Sequence, residues 1–348
     1  MQKLIFTNDV SNELDALINE MAPDKVAMLC DSHTFQIAEG LAPSGAEIIC
    51  LGAGDENKNL DSVSEVWTHL SLNGYTRNSL LVNVGGGMIT DLGGFAAACF
   101  KRGIRFINVP TTLLGAVDAA VGGKTGINFL DFKNEIGAFC EAQAVIISTR
   151  YFSTLPAAEL RSGFAEMLKH GLISSAEAYG RLMAFDIVEA DLDALLPLLQ
   201  ESVEVKRRIV AEDPREQGIR RALNLGHTAG HAFESYALER KEPIPHGFAV
   251  AHGLLVEMIL SHLQLGFPSS ELHRYASLLR EAYFPAPPIS CKDYDALLGL
   301  MSHDKKNRRT GEINFTLLSD SGVPVIDRTA TPDEIRTALD LYRDLLGL

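Results

Sequence analysis

Cysteine is sparse. Cys30, Cys50, Cys99, Cys140 and Cys291 are far apart and form no CxxC pair. Neither a disulfide framework nor a thiolate zinc site is indicated, and the five read as small core residues of a reducing compartment, the cytoplasm. Positive charge is also short, with 31 Lys and Arg against 45 Asp and Glu and a formal net charge of −14. A surface of that sign argues against general binding to nucleic acid or anionic membranes. Apolar stretches fall short of the roughly 18 residues that a membrane span needs. The opening segment MQKLIFTNDVSNELD has no apolar h-region and no small-residue cleavage site, so a secretory signal is not expected. The GxGxxG spacing of dinucleotide folds is not met, and the HExxH of zinc proteases is absent because Thr228 follows His227.

What is present suits a large core: 46% of residues are hydrophobic and 22% charged, which excludes bulk disorder. At roughly 150 residues per domain, 348 residues suggest two domains. Up to about residue 150 short apolar strands alternate with helical spacing. Lys25–Asp31, Glu47–Leu51, Ser79–Val84, Phe106–Val109 and Ala144–Ser148 read as buried strands, and Leu60–Leu72 as an amphipathic helix. This alternation predicts an α/β layer with a mostly parallel sheet. After Pro156 the pattern turns helical, over Ala157–Ser174, Ala190–Glu212, Arg221–Ala237, Gly247–Leu265, Ser269–Glu281 and Thr331–Leu346, with Ile313–Leu318 as the one strand. The expected domains are 1–150, α/β, and 151–348, helical.

Three groups of residues carry chemistry. In the first, strand SLLVNV runs into Gly85-Gly86-Gly87, with a helix expected from about Thr90 or Asp91. Such a junction is either a tight turn or a phosphate cradle at a helix N-terminus. Asp31, Asp55, Lys58, Thr111 and Thr112 follow other predicted strands, and together they outline a dinucleotide crevice. In the second, NLGHTAGH places His227 and His231 four apart on one helical face. His246 opens a later helix, and Glu166 sits in the apolar segment SGFAEMLKH. Two imidazoles and a carboxylate suit catalytic zinc, although one histidine of such a pair is often only a polar core group. In the third, Lys124 sits in a glycine-flanked loop, DAAVGGKTGIN, an anion-nest pattern. Together with Arg102, Lys133, Asn134, Lys169, Lys206, Arg220, Lys305 and Lys306 it points to a small, strongly anionic substrate such as a phosphorylated carboxylic acid.

GGGMITDLGGF (85–95), RGIRFINVPTTLLGAVDAAVGGKTGIN (102–128), KNEIGAF (133–139), SGFAEMLKHGLI (162–173), LNLGHTAGHAFE (223–234), PHG (245–247) and DKKN (304–307) run in the order of, and resemble, the 3-dehydroquinate synthases. The resemblance implies an N-terminal NAD-binding α/β domain, an all-helical C-terminal metal domain and a homodimer. The implied substrate is 3-deoxy-arabino-heptulosonate 7-phosphate. The implied reaction oxidises its C5 hydroxyl transiently with NAD, eliminates phosphate, reduces the ketone again and closes the ring by an intramolecular aldol step. The leaving phosphate would serve as the base for the elimination.

By the same resemblance Glu166, His227 and His246 would hold Zn²⁺ or Co²⁺. Asp118 and Lys169 would contact hydroxyls, and Lys206, Arg220 and Asn224 the carboxylate. Lys124, Asn134 and Lys305 would take the phosphate, with Arg102 reaching across from the partner subunit. His231 would serve substrate or proton transfer. NAD would meet Asp31, Asp55, Lys58, Gly86, Gly87, Asp91, Thr111, Thr112, Lys133, Thr154, Leu155 and Glu159. His33, Asp55 and Thr90 depart from the family's usual Asn, Glu and Gly. Rival readings are another sugar phosphate cyclase of the valiolone, deoxyinosose or aminodehydroquinate type, a metal-dependent alcohol or glycerol-phosphate dehydrogenase that would release NADH, and a non-catalytic homologue.

Overall fold

The structure, a computed structural model, describes residues 2–130, 132–302 and 313–348. The chain divides into two compact units, Met1–Leu155 with Leu192–Val203, and Pro156–Asp191 with Glu204–Leu348.

Unit 1 is built on a six-stranded sheet. Its elements are β1 (Lys3–Phe6), α1 (Val10–Met21), β2 (Val26–Asp31), α2 (Phe35–Leu41), β3 (Glu47–Leu51), α3 (Leu60–Leu72), β4 (Leu80–Gly85), α4 (Gly87–Cys99), β5 (Arg105–Pro110), β6 (Lys124–Phe129), β7 (Phe132–Phe139) and β8 (Ala144–Ile147). The sheet order is β1-β8-β5-β4-β2-β3, and every pairing in it is parallel. A parallel sheet buried on both faces needs near-continuous apolar strands. Leu80, Leu81, Val82 and Val84 of β4 meet that need and are fully buried. The polar exception is Asn83, whose Nδ2 donates to Oδ1 of its register partner Asn108 at 2.8 Å. Gly93 on α4 makes room for it, because a Cβ there would lie 2.1 Å from Asn83 Oδ1.

The order of strands reverses at β2: β3 lies on one side of it and β4 on the other. Ligands of open α/β sheets bind beyond the strand C-termini at such a switch point. Asp31 and the Gly85–Gly87 turn end the two strands that flank it.

Two sequence expectations in this unit need correction. The helix after the triple glycine starts at Gly87 rather than near Thr90, because Gly86 is extended and Gly87 already helical. Asp91 therefore sits one turn inside. Lys124 lies not in a loop but at the start of β6, which pairs antiparallel with β7. The hairpin is hard to read because each of its strands carries a glycine, Gly126 and Gly137. They are required there: a Cβ on Gly126 would lie 2.7 Å from Ile136 O, and one on Gly137 2.2 Å from Thr125 O.

Unit 2 contains α5 (Ala157–Ser174), α6 (Ala176–Met183), the later part of α7 (Leu192–Glu212), α8 (His227–Glu239), α9 (His246–Leu265), α10 (Ser269–Ala282), α11 (Tyr294–Ser302), β9 (Ile313–Asp320), β10 (Val323–Ala330) and α12 (Pro332–Leu346). It is helical except for the antiparallel ribbon β9–β10, which qualifies the all-helical expectation. The segment expected as one helix over Arg221–Ala237 is two: a 3₁₀ helix, Ile219–Asn224, and α8, parted by Gly226 at φ 80°.

Helix α9 is the core of unit 2, and α5, α8, α10, α12 and β9 pack on it. By length and composition it could cross a membrane, but it is mostly buried inside the protein. Its His252 is enclosed, with Nε2 3.0 Å from Tyr283 O and Nδ1 2.9 Å from the Tyr342 hydroxyl. These partners fit a neutral ring that donates from Nε2 and accepts at Nδ1. Burial lowers its pKa to about 4, the backbone bond to Tyr283 opposing it.

The unfolded chain therefore binds a proton near pH 6.5 that the folded chain refuses until about pH 4. The His252 contribution is intact above pH 6.5 and falls by about 3 kcal/mol as pH drops through that window. Urea unfolding of wild type and His252→Gln should show the difference between them shrinking from pH 7 to pH 4.5. Parallel pH profiles would exclude this account.

Candidate active site

Unit 2 brings one titratable cluster together. Glu166 lies on α5 with no exposed surface. Lys169, three residues on, lies on the same helical face, is equally enclosed and pairs with Glu166 Oε2. Glu166 Oε1 has no hydrogen-bond partner among the described residues. It faces His227 Nε2 at 3.4 Å and His246 Nε2 at 3.6 Å. One ligand atom from each of the three residues lies within 4.8 Å of the others.

The outward nitrogens decide the tautomers. His227 Nδ1 sits 3.1 Å from Leu225 O, and His246 Nδ1 sits 3.1 Å from Glu234 Oε2. Both partners are acceptors, so each Nδ1 carries a proton and each Nε2 presents its lone pair to the cluster once the ring is neutral. Carboxylate and carbonyl partners of this kind fix ligand histidines in metal sites. The donor set, two imidazoles and one carboxylate, fits a tetrahedral ion with an open position, zinc or cobalt.

In the metal-free cluster Glu166 is held as a carboxylate and His227 as a neutral ring, while His246 keeps a proton that an ion must displace. Burial alone would raise Glu166, but Lys169 and the two histidines hold it well below the carboxylate range. Burial lowers His227 to about 4. It works the same way on His246, but the facing carboxylates of Glu166 and Glu234 prevail and lift that ring to about 10.

The exposed His231 ring stands 5.3 Å from His227 and 5.9 Å from His246, centroid to centroid. Sequence reasoning missed Glu234. Its signal was spacing, since His227, His231 and Glu234 at i, i+4 and i+7 share one face of α8. Lys206 is buried on α7. Arg220 is buried and donates to Pro214 O at 2.7 Å, while Asn224 Nδ2 donates to Glu216 Oε1 at 2.7 Å. Glu159 is exposed in the first turn of α5. Lys305 and Lys306 lie outside the described residues.

Unit 1 gathers most of the expected nucleotide residues at the strand C-termini. Asp31 closes β2, and its Oδ1 accepts from the backbone N–H of His33 and Thr34, each at 2.9 Å. Gly86 precedes α4 at a tight approach, as a Cβ there would lie 3.0 Å from Thr112 Cγ2. Thr111 N donates to Gly85 O at 3.0 Å. Lys58 is buried and donates to Asp91 Oδ2 at 2.6 Å and Asn134 Oδ1 at 2.5 Å. Lys133 approaches Asp55 at 3.5 Å. A network therefore ties the strand ends to the β6–β7 hairpin, and Asn128 extends it by accepting from Asn134 N at 3.0 Å. Asp118 lies in a π-helical turn, Gly115–Ala119, and Thr154 and Leu155 end the 3₁₀ helix Thr149–Thr154. Arg102 is exposed, with φ 68°.

Residues 48–162 match the 3-dehydroquinate synthase N-terminal family, and residues 163–307 match the 3-dehydroquinate synthase C-terminal family. The chain belongs to the 3-dehydroquinate synthase family. It is 49% identical to the 3-dehydroquinate synthase of Parabacteroides distasonis over 100% of this chain and 99% of the relative. It is 40% identical to that of Bordetella pertussis over 94% and 93% of the two chains. Among solved structures, a 2-epi-5-epi-valiolone synthase from Streptomyces hygroscopicus with NAD⁺ and Zn²⁺ bound is similar at TM-score 0.86 and 25% identity, covering 99% of this chain and 97% of that one. A 2-deoxy-scyllo-inosose synthase complexed with carbaglucose-6-phosphate, NAD⁺ and Co²⁺ shares the fold at TM-score 0.86 and 24% identity, covering 98% of this chain and 96% of that one. Both solved structures share the fold of this chain over nearly its whole length.

Proposed function

We infer that this chain is a 3-dehydroquinate synthase. It is a carbon–oxygen lyase that converts 3-deoxy-arabino-heptulosonate 7-phosphate to 3-dehydroquinate and phosphate, on the shikimate route to aromatic amino acids. The observation that carries the reading is the Glu166–His227–His246 cluster, with both Nε2 atoms turned inward, in a chain 49% identical to a curated 3-dehydroquinate synthase over its full length. When bound, the divalent ion supplies Lewis-acid polarisation of a substrate oxygen, and NAD supplies a hydride acceptor that is restored within the turnover.

The chain's own groups do the rest. Glu166, His227 and His246 hold the ion, and Glu234 and Leu225 O keep the Nδ1 protons outward. Arg220, with Lys206 and Asn224, takes the substrate carboxylate, and a guanidinium can do so through two parallel bonds. Lys169 and Asp118 meet hydroxyls, and His231 serves substrate or proton transfer. Lys124, Asn134 and Lys305 hold the phosphate, and Arg102 completes the partner's site in a cytoplasmic homodimer. Asp31, Asp55, Lys58, Gly86, Gly87, Asp91, Thr111, Thr112, Lys133, Thr154, Leu155 and Glu159 hold NAD.

The solved neighbours keep a second reading in view, a cyclase making a valiolone- or inosose-type ring. Arg220, buried, and Asn224, both on the 3₁₀ helix Ile219–Asn224, favour a carboxylated substrate instead. Metal-loaded protein given 3-deoxy-arabino-heptulosonate 7-phosphate and catalytic NAD⁺ should release phosphate and dehydroquinate in equal amounts without accumulating NADH. Accumulating NADH would indicate a dehydrogenase. No phosphate release from protein loaded with both cofactors would exclude the synthase.

A further inference from the structure

We propose that Glu257 is a positioning residue of the metal centre, its buried carboxylate holding the first turn of α8 and so fixing where the His227 imidazole points. The proposal rests on the reading of Glu166, His227 and His246 as the ion's ligands.

Helix α8 starts without a side-chain cap: its N-cap is Gly226, and no side chain of the helix's own first turn accepts from the free amides. Such amides need partners when buried. Glu257 supplies them from α9, about three turns beyond His246. Its Oε2 accepts from Gly226 N at 2.6 Å, and its Oε1 from Thr228 N at 3.0 Å and Ala229 N at 3.2 Å. A carboxylate at a helix N-terminus is favoured by both the dipole and the charge-assisted bonds.

The three amides bracket His227 in the chain. Leu225, whose carbonyl fixes the His227 tautomer, adjoins the first of them. Both the ring and the acceptor that orients it therefore belong to the segment that Glu257 grips. Glycine permits the grip: a Cβ on Gly253 would lie 2.1 Å from Gly226 O and 2.5 Å from Gly230 N, so the backbones of α8 and α9 approach closely. Glutamine at 257 would lose the charge and turn an N–H₂ toward backbone donors. Aspartate would keep the charge on a shorter arm.

Glu257→Gln, Glu257→Asp and, as a control, Tyr342→Phe test this. Tyr342 bonds His252 on the same helix and has no part in the cluster. Zn²⁺ affinity by chelator competition and the visible spectrum of the Co²⁺-loaded protein are read beside the urea midpoint. E257Q should weaken Zn²⁺ binding by about ten- to a hundredfold and change the Co²⁺ spectrum, with E257D in between. Y342F should lower the midpoint while leaving both metal readouts unchanged. Wild-type metal readouts in E257Q overturn the proposal alone, and wild-type protein that binds neither ion overturns the metal reading and the proposal with it. Amide exchange in metal-free wild type decides even if the variants misfold: Gly226, Thr228 and Ala229 should be protected, and solvent-like exchange there overturns the proposal.

Discussion

Glu166→Ala should lose about a thousandfold or more in turnover and, measured in chelator, about 3–5 kcal/mol of stability. The first loss follows from removing the only carboxylate of the ligand set, since an ion that polarises a substrate oxygen stabilises several kcal/mol of developing charge. The second has a different cause. Lys169 is as enclosed as Glu166, and the two form an ion pair. Taking the anion away strands a buried cation. The two effects separate in the double variant Glu166→Leu with Lys169→Met. An apolar pair of similar volume often replaces a buried ion pair at no net loss, so the double variant should regain most of the stability and none of the activity. Urea unfolding and phosphate release on wild type, Glu166→Ala, Glu166→Leu, Lys169→Met and the double variant give the comparison. An E166A protein as stable as wild type would mean that Lys169 finds another outlet, and turnover within tenfold of wild type would remove Glu166 from the ligand set.

Much of unit 1 was readable because a parallel sheet makes a simple demand. Strands covered on both faces must be apolar along their length, and Leu80–Gly85 and Ala144–Ile147 appear in the sequence nearly as they stand in the structure. Helix α3 kept its expected bounds because its apolar stripe and its cap coincide, Asn59 accepting from Ser62 N at 3.0 Å. The β6–β7 hairpin was hidden because its glycines answer a cross-strand contact rather than a local preference. Propensity, which counts glycine against a strand, reads them with the wrong sign.

The Glu166–His227–His246 cluster was legible in part for a related reason. His227 and His231 share a face by spacing alone, whereas the convergence of Glu166 and His246 upon them is a matter of helix packing that no spacing encodes. Glu234 lay within reach of the same spacing argument. An acidic residue on a helix usually faces water, and the Nδ1 atom of His246 gives this one another purpose. Glu257 was beyond such reasoning, since its partners lie on another helix and are backbone amides without any side-chain mark.

Gly247→Ala should weaken zinc binding by about ten- to a hundredfold while leaving Glu166, His227 and His246 in place. Gly247 is the second residue of α9, directly after His246, and its amide donates to Ser162 Oγ at 2.9 Å. A Cβ there would lie 2.0 Å from Ser162 O and 2.4 Å from Ser162 Cα. Those are backbone atoms, so no rotamer change relieves the contact and α9 must move away from α5. Ser162 is one turn before Glu166 on α5. Separating the helices at this point therefore draws the His246 ring away from the carboxylate it faces at 3.6 Å. Overpacking of this kind costs about 1–3 kcal/mol. In the metal-free protein the strain is released by parting, and binding the ion must restore it. At about 1.4 kcal/mol per tenfold the same strain becomes the predicted loss of affinity. Gly299→Ala in α11 is the control, since nothing lies within 4 Å of its Cβ. That change should raise stability by about 0.5–1 kcal/mol through helix propensity and leave zinc binding alone. Wild-type affinity in Gly247→Ala would mean that the cluster does not depend on the close approach of α5 and α9, and its geometry would then have to be set by the loops that precede α8 and α9.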